Sequence, residues 1–401
     1  MKIALCIGLA MTMGCDDESP TNHSLVPTID RGTSAIRDAA SRQLDQHITP
    51  ILLDSAIIED LAVIDAMPRP LIDAEPEIPD ASMVDAVAPV EPTILRFAAL
   101  GDTGKGNDGQ RRVAAALADA CTSFGGCRFA VLLGDNIYDS GVENADDPQW
   151  EEKFRAPYAD VDMPFYATLG NHDYGAPAIL QDLAGGIGID PTRGQAQLDY
   201  AAQQDKFRMP GAFYRFSEGP VELVSINTAS MFWRDLTFVE DITGFALVND
   251  QQEETLPRWA ENPLSTWRIA FGHHPYLSNG RHGNAGTYDF VFIPGLPGSG
   301  TAIREFMETY VIGEFDVYLA GHDHNLQDLG AHEGTQVIVS GAGASARELR
   351  PQNPSLYEAD RLGFVLIEAT EVSLNFRFIE VNEDDGAARL WIEAYSRRIN
   401  R

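Results

Sequence analysis

The pattern of apolar and polar positions changes near residue 93. Before it, apolar residues are scattered with no sustained period of two or 3.6, and prolines interrupt any helix beyond Met67. After it, apolar runs of four to seven residues alternate with helical stretches. The runs predict strands over 94–100, 129–133, 165–169, 221–226, 268–271, 317–320, 336–339, 364–367 and 374–379. Helices are predicted over 109–120, 251–261 and 301–311, with another possible near 195–207. Strands outnumber helices and several connect through them, which predicts an α/β domain over 93–401 with sheet in the middle.

Composition adds a tether and an address. The 401 residues carry 60 Asp and Glu against 29 Lys and Arg, a net charge of −31. Such acidity argues against nucleic acid and anionic membrane surfaces as bulk partners, because both need basic patches. Taken alone it also argues against phosphate-bearing substrates. Residues 16–92 hold 16 of the acids and four of the bases, with recurring phrases such as Ile64-Asp65-Ala66 and Ile72-Asp73-Ala74. This reads as a solvated, largely disordered linker over 15–92, with a short helix between 34 and 65 or a partner-binding segment as alternatives. Lys2, an apolar stretch and Gly14-Cys15 resemble a bacterial lipoprotein signal over 1–14, with Cys15 as the lipidated residue. Thr12 stands where such signals usually carry Leu, which leaves plain secretion or no export as the alternatives. No apolar run reaches 18 residues, so no transmembrane helix is expected. Cys121 and Cys127 flank a loop ending Ser-Phe-Gly-Gly, and in an exported chain they would either close a disulfide or remain two free thiols.

Polar motifs follow five predicted strands directly: Gly101-Asp102-Thr103-Gly104, Gly134-Asp135-Asn136-Ile137-Tyr138, Gly170-Asn171-His172-Asp173, Gly272-His273-His274-Pro275 and Gly321-His322-Asp323-His324. Ligands of open α/β sheets bind beyond the carboxyl ends of strands, so five such clusters point to one shared site. Each begins with Gly, which is expected to let the backbone turn sharply. Carboxylate, amide and imidazole donors suit Fe, Mn or Zn. Asp135 has oxygens enough to bridge two ions. Two ions about 3.5–4 Å apart form a clamp for in-line displacement at phosphorus.

This ordered set resembles the calcineurin-like metallophosphoesterases over about residues 94–380, and within them the small, tartrate-resistant type of purple acid phosphatase. Most of that superfamily begins with Asp-x-His, whereas the third position here is Gly104. Tyr138, three residues after Asp135, stands where purple acid phosphatases place a phenolate ligand. The resemblance implies a four-layer α-β-β-α sandwich and a binuclear centre of Fe(III) with divalent Fe, Zn or Mn. Asp102, Asp135, Tyr138 and His324 would hold the Fe(III). Asp135, Asn171, His273 and His322 would hold the divalent ion. His172 and His282, the latter nine residues after His273, would contact phosphate and share the general-acid role, with Asn171 also at the substrate. Histidine titrates near mildly acidic pH, as such a role needs.

Several residues keep two readings. His274 stands where the family often has Tyr and would line the pocket, contact substrate, or sit inertly at the surface. Asn136 would reach phosphate or serve the turn, and Asn279 and Arg281 could line the mouth. The long segment 175–208 would be a lid or contain an ordinary helix. His23, His47 and His332 read as solvated. The resulting expectation is an exported, lipid-anchored phosphoric monoester hydrolase in which a metal-bound hydroxide attacks phosphorus in line. A phosphodiesterase on the same scaffold and an inactive phosphatase-like surface binding protein are the alternatives.

Overall fold

The computed structural model describes residues 94–177, 186–288, 300–382 and 389–401. The expected signal, Cys15, the 15–92 linker and its optional helix lie outside them.

Two seven-stranded sheets are built from the apolar runs. The first runs in the order β14 (Trp391–Asn400), β13 (Ser373–Val381), β12 (Gly363–Ala369), β1 (Leu95–Leu100), β2 (Phe129–Leu132), β3 (Phe165–Ala167) and β4 (Phe207–Arg208). The second runs β11 (Tyr357–Ala359), β9 (Leu326–His332), β10 (Thr335–Ser340), β8 (Val317–Ala320), β7 (Trp267–Phe271), β6 (Val221–Ser225) and β5 (Tyr214–Glu218). β1, β2, β3 and β4 are mutually parallel, as are β6, β7, β8 and β10. β1 and β2 are in step from Phe97 opposite Phe129 to Leu100 opposite Leu132, so the loops that follow them leave the sheet together. Such strands are buried on both faces, which is why they read as continuous apolar runs without alternation.

One continuous apolar core joins the sheets, with Phe97, Phe129 and Phe364 from the first and Ile269, Leu319 and Ile338 from the second. Phe97 and Phe129 stack at 4.9 Å, and Tyr214 Oη of β5 donates to the Ala167 carbonyl of β3 at 2.8 Å. Helices lie outside: α1 (Asp108–Ser123), α2 (Asn171–Tyr174), α3 (Pro191–Ala201), α4 (Thr237–Thr243), α5 (Phe245–Glu261) and α6 (Thr301–Tyr310). α1 starts where the Asn107 side chain accepts the Gln110 N–H at 2.9 Å, and its buried stripe of Val113, Ala116, Leu117 and Ala120 packs on β12 and β13. The layered α/β sandwich expected from the sequence is therefore present. Cys121 and Cys127 are bonded to each other at the end of α1, which removes the free-thiol reading.

All nine predicted strands and three predicted helices occur, with shifted ends. β4, β5, β9, β11 and β14 went unrecognised, as did α2 and α4. β14 is an edge strand whose residues after Trp391 are mostly exposed and mix charged with apolar side chains, so it carries no clear apolar run. The helix expected near 195–207 starts earlier, at Pro191, where Asp190 caps Thr192 N and Pro occupies the first turn. It stops at Ala201, and Phe207 belongs to β4 instead. No helix among the described residues is long and apolar enough to cross a membrane.

Candidate metal centre

The five motif loops leave the carboxyl ends of β1, β2, β3, β7 and β8 and meet over the seam between the sheets. Cross-sheet hydrogen bonds lock them. His322 N–H from the second sheet donates to Asp102 Oδ2 at 2.7 Å, and His273 Nδ1 donates to the Leu133 carbonyl of the first at 2.9 Å. Asp173 gathers its own side of the site, accepting from the N–H groups of Asn136 at 2.8 Å, Ile137 at 3.0 Å and Gly170 at 2.8 Å.

The glycines act differently from the expectation of a sharp turn at each. Gly134 alone of the five leading glycines has a positive φ, 84°, and in three of the loops the ligand candidate after the glycine is itself left-handed. φ is 58° at Asp102, 53° at Asp135 and 69° at His322. The glycines mainly allow close approach. A Cβ on Gly170 would fall 2.2 Å from Asp135 Oδ1, and one on Gly321 would fall 2.7 Å from Asp102 Oδ2. Non-glycine residues at positive φ each cost about 1–3 kcal/mol and persist where surrounding structure enforces them. Three of the four in the described residues belong to this one site.

Two donor groups emerge. In the first, Tyr138 Oη donates to Asp102 Oδ1 at 2.9 Å and lies 3.1 Å from His324 Nε2, which is 3.4 Å from Asp102 Oδ1. In the second, His273 Nε2 lies 3.0 Å from Asn171 Oδ1, 3.1 Å from His322 Nδ1 and 3.4 Å from Asp135 Oδ1. One ligand atom each from Asp102, Asp135 and His273 falls within 4.8 Å of the others, so the two groups adjoin through the carboxylates. The Leu133 carbonyl takes the His273 Nδ1 proton, so Nε2 is the ring atom that would coordinate an ion. Gly104 explains the missing histidine. A Cβ there would fall 1.9 Å from the Asn136 carbonyl oxygen, so no side chain fits, and the donor arrives from Tyr138 instead.

The donors suit cations. Asp102 and Asp135 are buried. Burial alone would raise the Asp135 carboxyl, but the rings of His273 and His172 and hydrogen bonds from Tyr138 and the His172 backbone hold it down at about 2. Burial and the Asp102 and Asp135 carboxylates push the Tyr138 phenol well above its ordinary range. Its ionisation therefore needs a strong positive charge in place of its proton. Burial, then the neighbouring histidines, keeps His322 neutral and ready to coordinate.

The two proposed proton donors flank this cluster. His172 is half-buried; its Nδ1 donates to the Asp139 carbonyl at 2.6 Å, and its ring lies 4.3 Å from that of Tyr138. His282 is half-buried, its ring 4.3 Å from His322, and its backbone N–H donates to Asp323 Oδ1 at 2.9 Å.

Other readings are corrected by burial. His274 is fully buried against Phe232, Tyr288 and His322, so a surface role is excluded. Asn136 is buried and its Nδ2 is taken by the Thr168 carbonyl, Asp173 and Gln197, which is the turn role. Asn279 does not line the mouth. It is buried and bonded to Gln327, Gln352, Asn353 and Glu358. Arg281 is exposed beside His282. His332 is half-buried, 3.3 Å from Tyr276 Oη.

Sequence reasoning missed Lys105 and Ser345. Lys105 Nζ donates to Ser345 Oγ at 2.8 Å and sits 4.8 Å over the Tyr138 ring, while Ser345 Oγ lies 2.8 Å from His324 Nδ1. Burial and then Arg347 lower the Lys105 ammonium against the pull of Asp102, Asp135 and Asp139. The position of Lys105, directly after the first motif, was the available signal; Ser345 had none.

A family model described as calcineurin-like phosphoesterase matches residues 95–326. The chain is 27% identical over 310 residues to purple acid phosphatase 7 of Arabidopsis thaliana, covering 72% of this chain and 83% of that one. It is 26% identical over 334 residues to human tartrate-resistant acid phosphatase type 5, covering 75% and 90%. In fold it resembles GAP50, described as an anchor in the inner membrane complex of Plasmodium. The TM-score is 0.56 at 20% identity, over 77% of this chain and 89% of that one. With more than half of its length matched and its motif residues gathered over one seam, the chain belongs to the calcineurin-like phosphoesterase family and is a phosphoesterase built around a metal centre.

Proposed function

We propose that this phosphoesterase is a purple acid phosphatase that hydrolyses phosphate monoesters with an Fe(III)–divalent pair. The observation that carries the reading is the meeting of Tyr138 Oη with Asp102 and His324 at a place where Gly104 admits no side chain. Asp102, Asp135, Tyr138 and His324 would hold the Fe(III), and Asp135, Asn171, His273 and His322 the divalent ion. When bound, such a pair supplies an acidified water and a Lewis-acid clamp on the phosphoryl oxygens. The chain's own residues do the rest. Asn171 and His172 begin a short helix whose backbone is tied to Asp135, so the substrate meets both on a fixed frame. His172, with Nδ1 committed to the Asp139 carbonyl, would present Nε2 as the atom that delivers a proton, and His282 offers a second imidazole from the other sheet's side. As the P–O bond breaks, one of these two rings in its protonated form would pass a proton to the departing alkoxide oxygen.

The export signal and Cys15 anchor complete the proposal, placing the enzyme outside the cytoplasm on a lipid tether. Replacing Cys15 with Ala should release it to the soluble fraction. The deciding assay follows reconstitution with iron and a divalent ion: turnover of an aryl phosphate monoester against the matching diester. Faster monoester turnover supports the proposal. Faster diester turnover favours the phosphodiesterase, and a fully metallated, inactive protein favours a binding role.

A further inference from the structure

His274 is the one histidine of the motif loops that this reaction leaves unused. Its backbone N–H and its Nδ1 both lie 3.0 Å from Thr228 Oγ1, whose two lone pairs can accept both protons. The Nδ1 contact can run in either direction, and a cation at Nε2 would select the tautomer with the proton on Nδ1. Nε2 is buried and has no hydrogen-bond partner. A buried polar atom without a partner costs about 1–3 kcal/mol, so native structures rarely keep one without a reason. The ring is clamped between Phe232 at 5.3 Å, Tyr288 at 5.8 Å and His322 at 4.6 Å. One ring nitrogen each from His273, His274 and His322 falls within 4.8 Å of the others. His273 and His322 are two of the residues that would hold the divalent ion.

We propose that His274 is a fifth protein ligand of the divalent ion, through Nε2, with Thr228 as its positioning residue. The inference rests on the binuclear reading above. It makes the donor set three imidazoles, one amide oxygen and one carboxylate. Added imidazole favours Zn(II) or Fe(II) over Mn(II), which prefers oxygen donors. The site would therefore select its divalent ion more sharply than the four-ligand set alone.

The test is metal affinity. The full-length protein is loaded with two ions, the divalent one is removed with dilute chelator, and Zn(II) or Mn(II) is titrated back against a competing chelator. His274→Phe keeps a ring against Phe232 and Tyr288 but removes the nitrogen. It should lower Zn(II) affinity about 10–100-fold and Mn(II) affinity less, while metal-free thermal unfolding stays unchanged. Thr228→Val should lower Zn(II) affinity about 10-fold and decides the matter if the phenylalanine variant does not fold. A folded variant that keeps wild-type Zn(II) affinity within about twofold overturns the proposal, and would mean that Nε2 holds a water instead. A wild type that takes up fewer than two ions fails before any variant is made, and sinks the binuclear reading together with the fifth ligand.

Discussion

Individual side chains in this site have separable duties, and their replacement should show it. Asp135 adjoins both donor groups, so Asp135→Asn should abolish turnover and leave fewer than two ions per chain by elemental analysis. His324→Ala should also abolish turnover. Near-wild-type rates in a folded, fully metallated variant would exclude these assignments. Tyr138 makes a different prediction: the reconstituted protein should absorb visible light, and Tyr138→Phe should remove the band. A colourless wild type with iron bound would refute the phenolate. Most ligand candidates were legible in the sequence because Asp102, Asp135, Asn171, His273 and His322 each follow a glycine at the end of an apolar run. Ser345 was not, because it lies 240 residues from Lys105 and only the fold brings the two within a hydrogen bond. Asn279 misled for the converse reason. A polar side chain near a motif looks available until its buried partners are known.

At the scale of elements, the loops hold their shape through Asp173. Its carboxylate accepts three backbone N–H groups from two different loops and a further bond from Gln197 of α3. Asp173→Ala strands those buried donors at about 1–3 kcal/mol each, so urea unfolding should show a loss of at least about 3 kcal/mol. Asp173→Asn, which keeps one acceptor oxygen, should lose less. A loss below about 1 kcal/mol in the alanine variant would mean that water replaces the carboxylate. Central strands were legible because burial on both faces leaves an uninterrupted apolar run. β14 and β5 were not, since an edge or half-exposed strand mixes charge with apolar residues and its pairing is decided by neighbours distant in sequence.

At the scale of the whole molecule, net charge changes meaning once the centre is assembled. Two buried carboxylates and a phenol at the site await cations, and bound ions reverse the local field where a phosphate ester must sit. The acidic composition then disfavours polyanions in bulk without excluding a small phosphate at the centre. The linker reading makes its own prediction: a chain starting at residue 93 should fold and turn over a soluble phosphate ester at the rate of the full-length protein. A loss greater than about twofold would give residues 15–92 a role in the catalytic domain.

The loops that form the centre leave opposite sheets: those bearing Asp102, Asp135, Tyr138 and Asn171 belong to the first, and those bearing His273, His322 and His324 to the second. A cation pair held by all of them would be a rivet through the seam of the sandwich. Its removal would then be a mechanical event as well as a chemical one. Each ion present at about a thousand times its dissociation constant would add about 4 kcal/mol to the folded state. Stripped protein should accordingly melt at a lower temperature, and amide exchange should quicken first in the segments following β1, β2, β7 and β8, where the two halves are no longer pinned together.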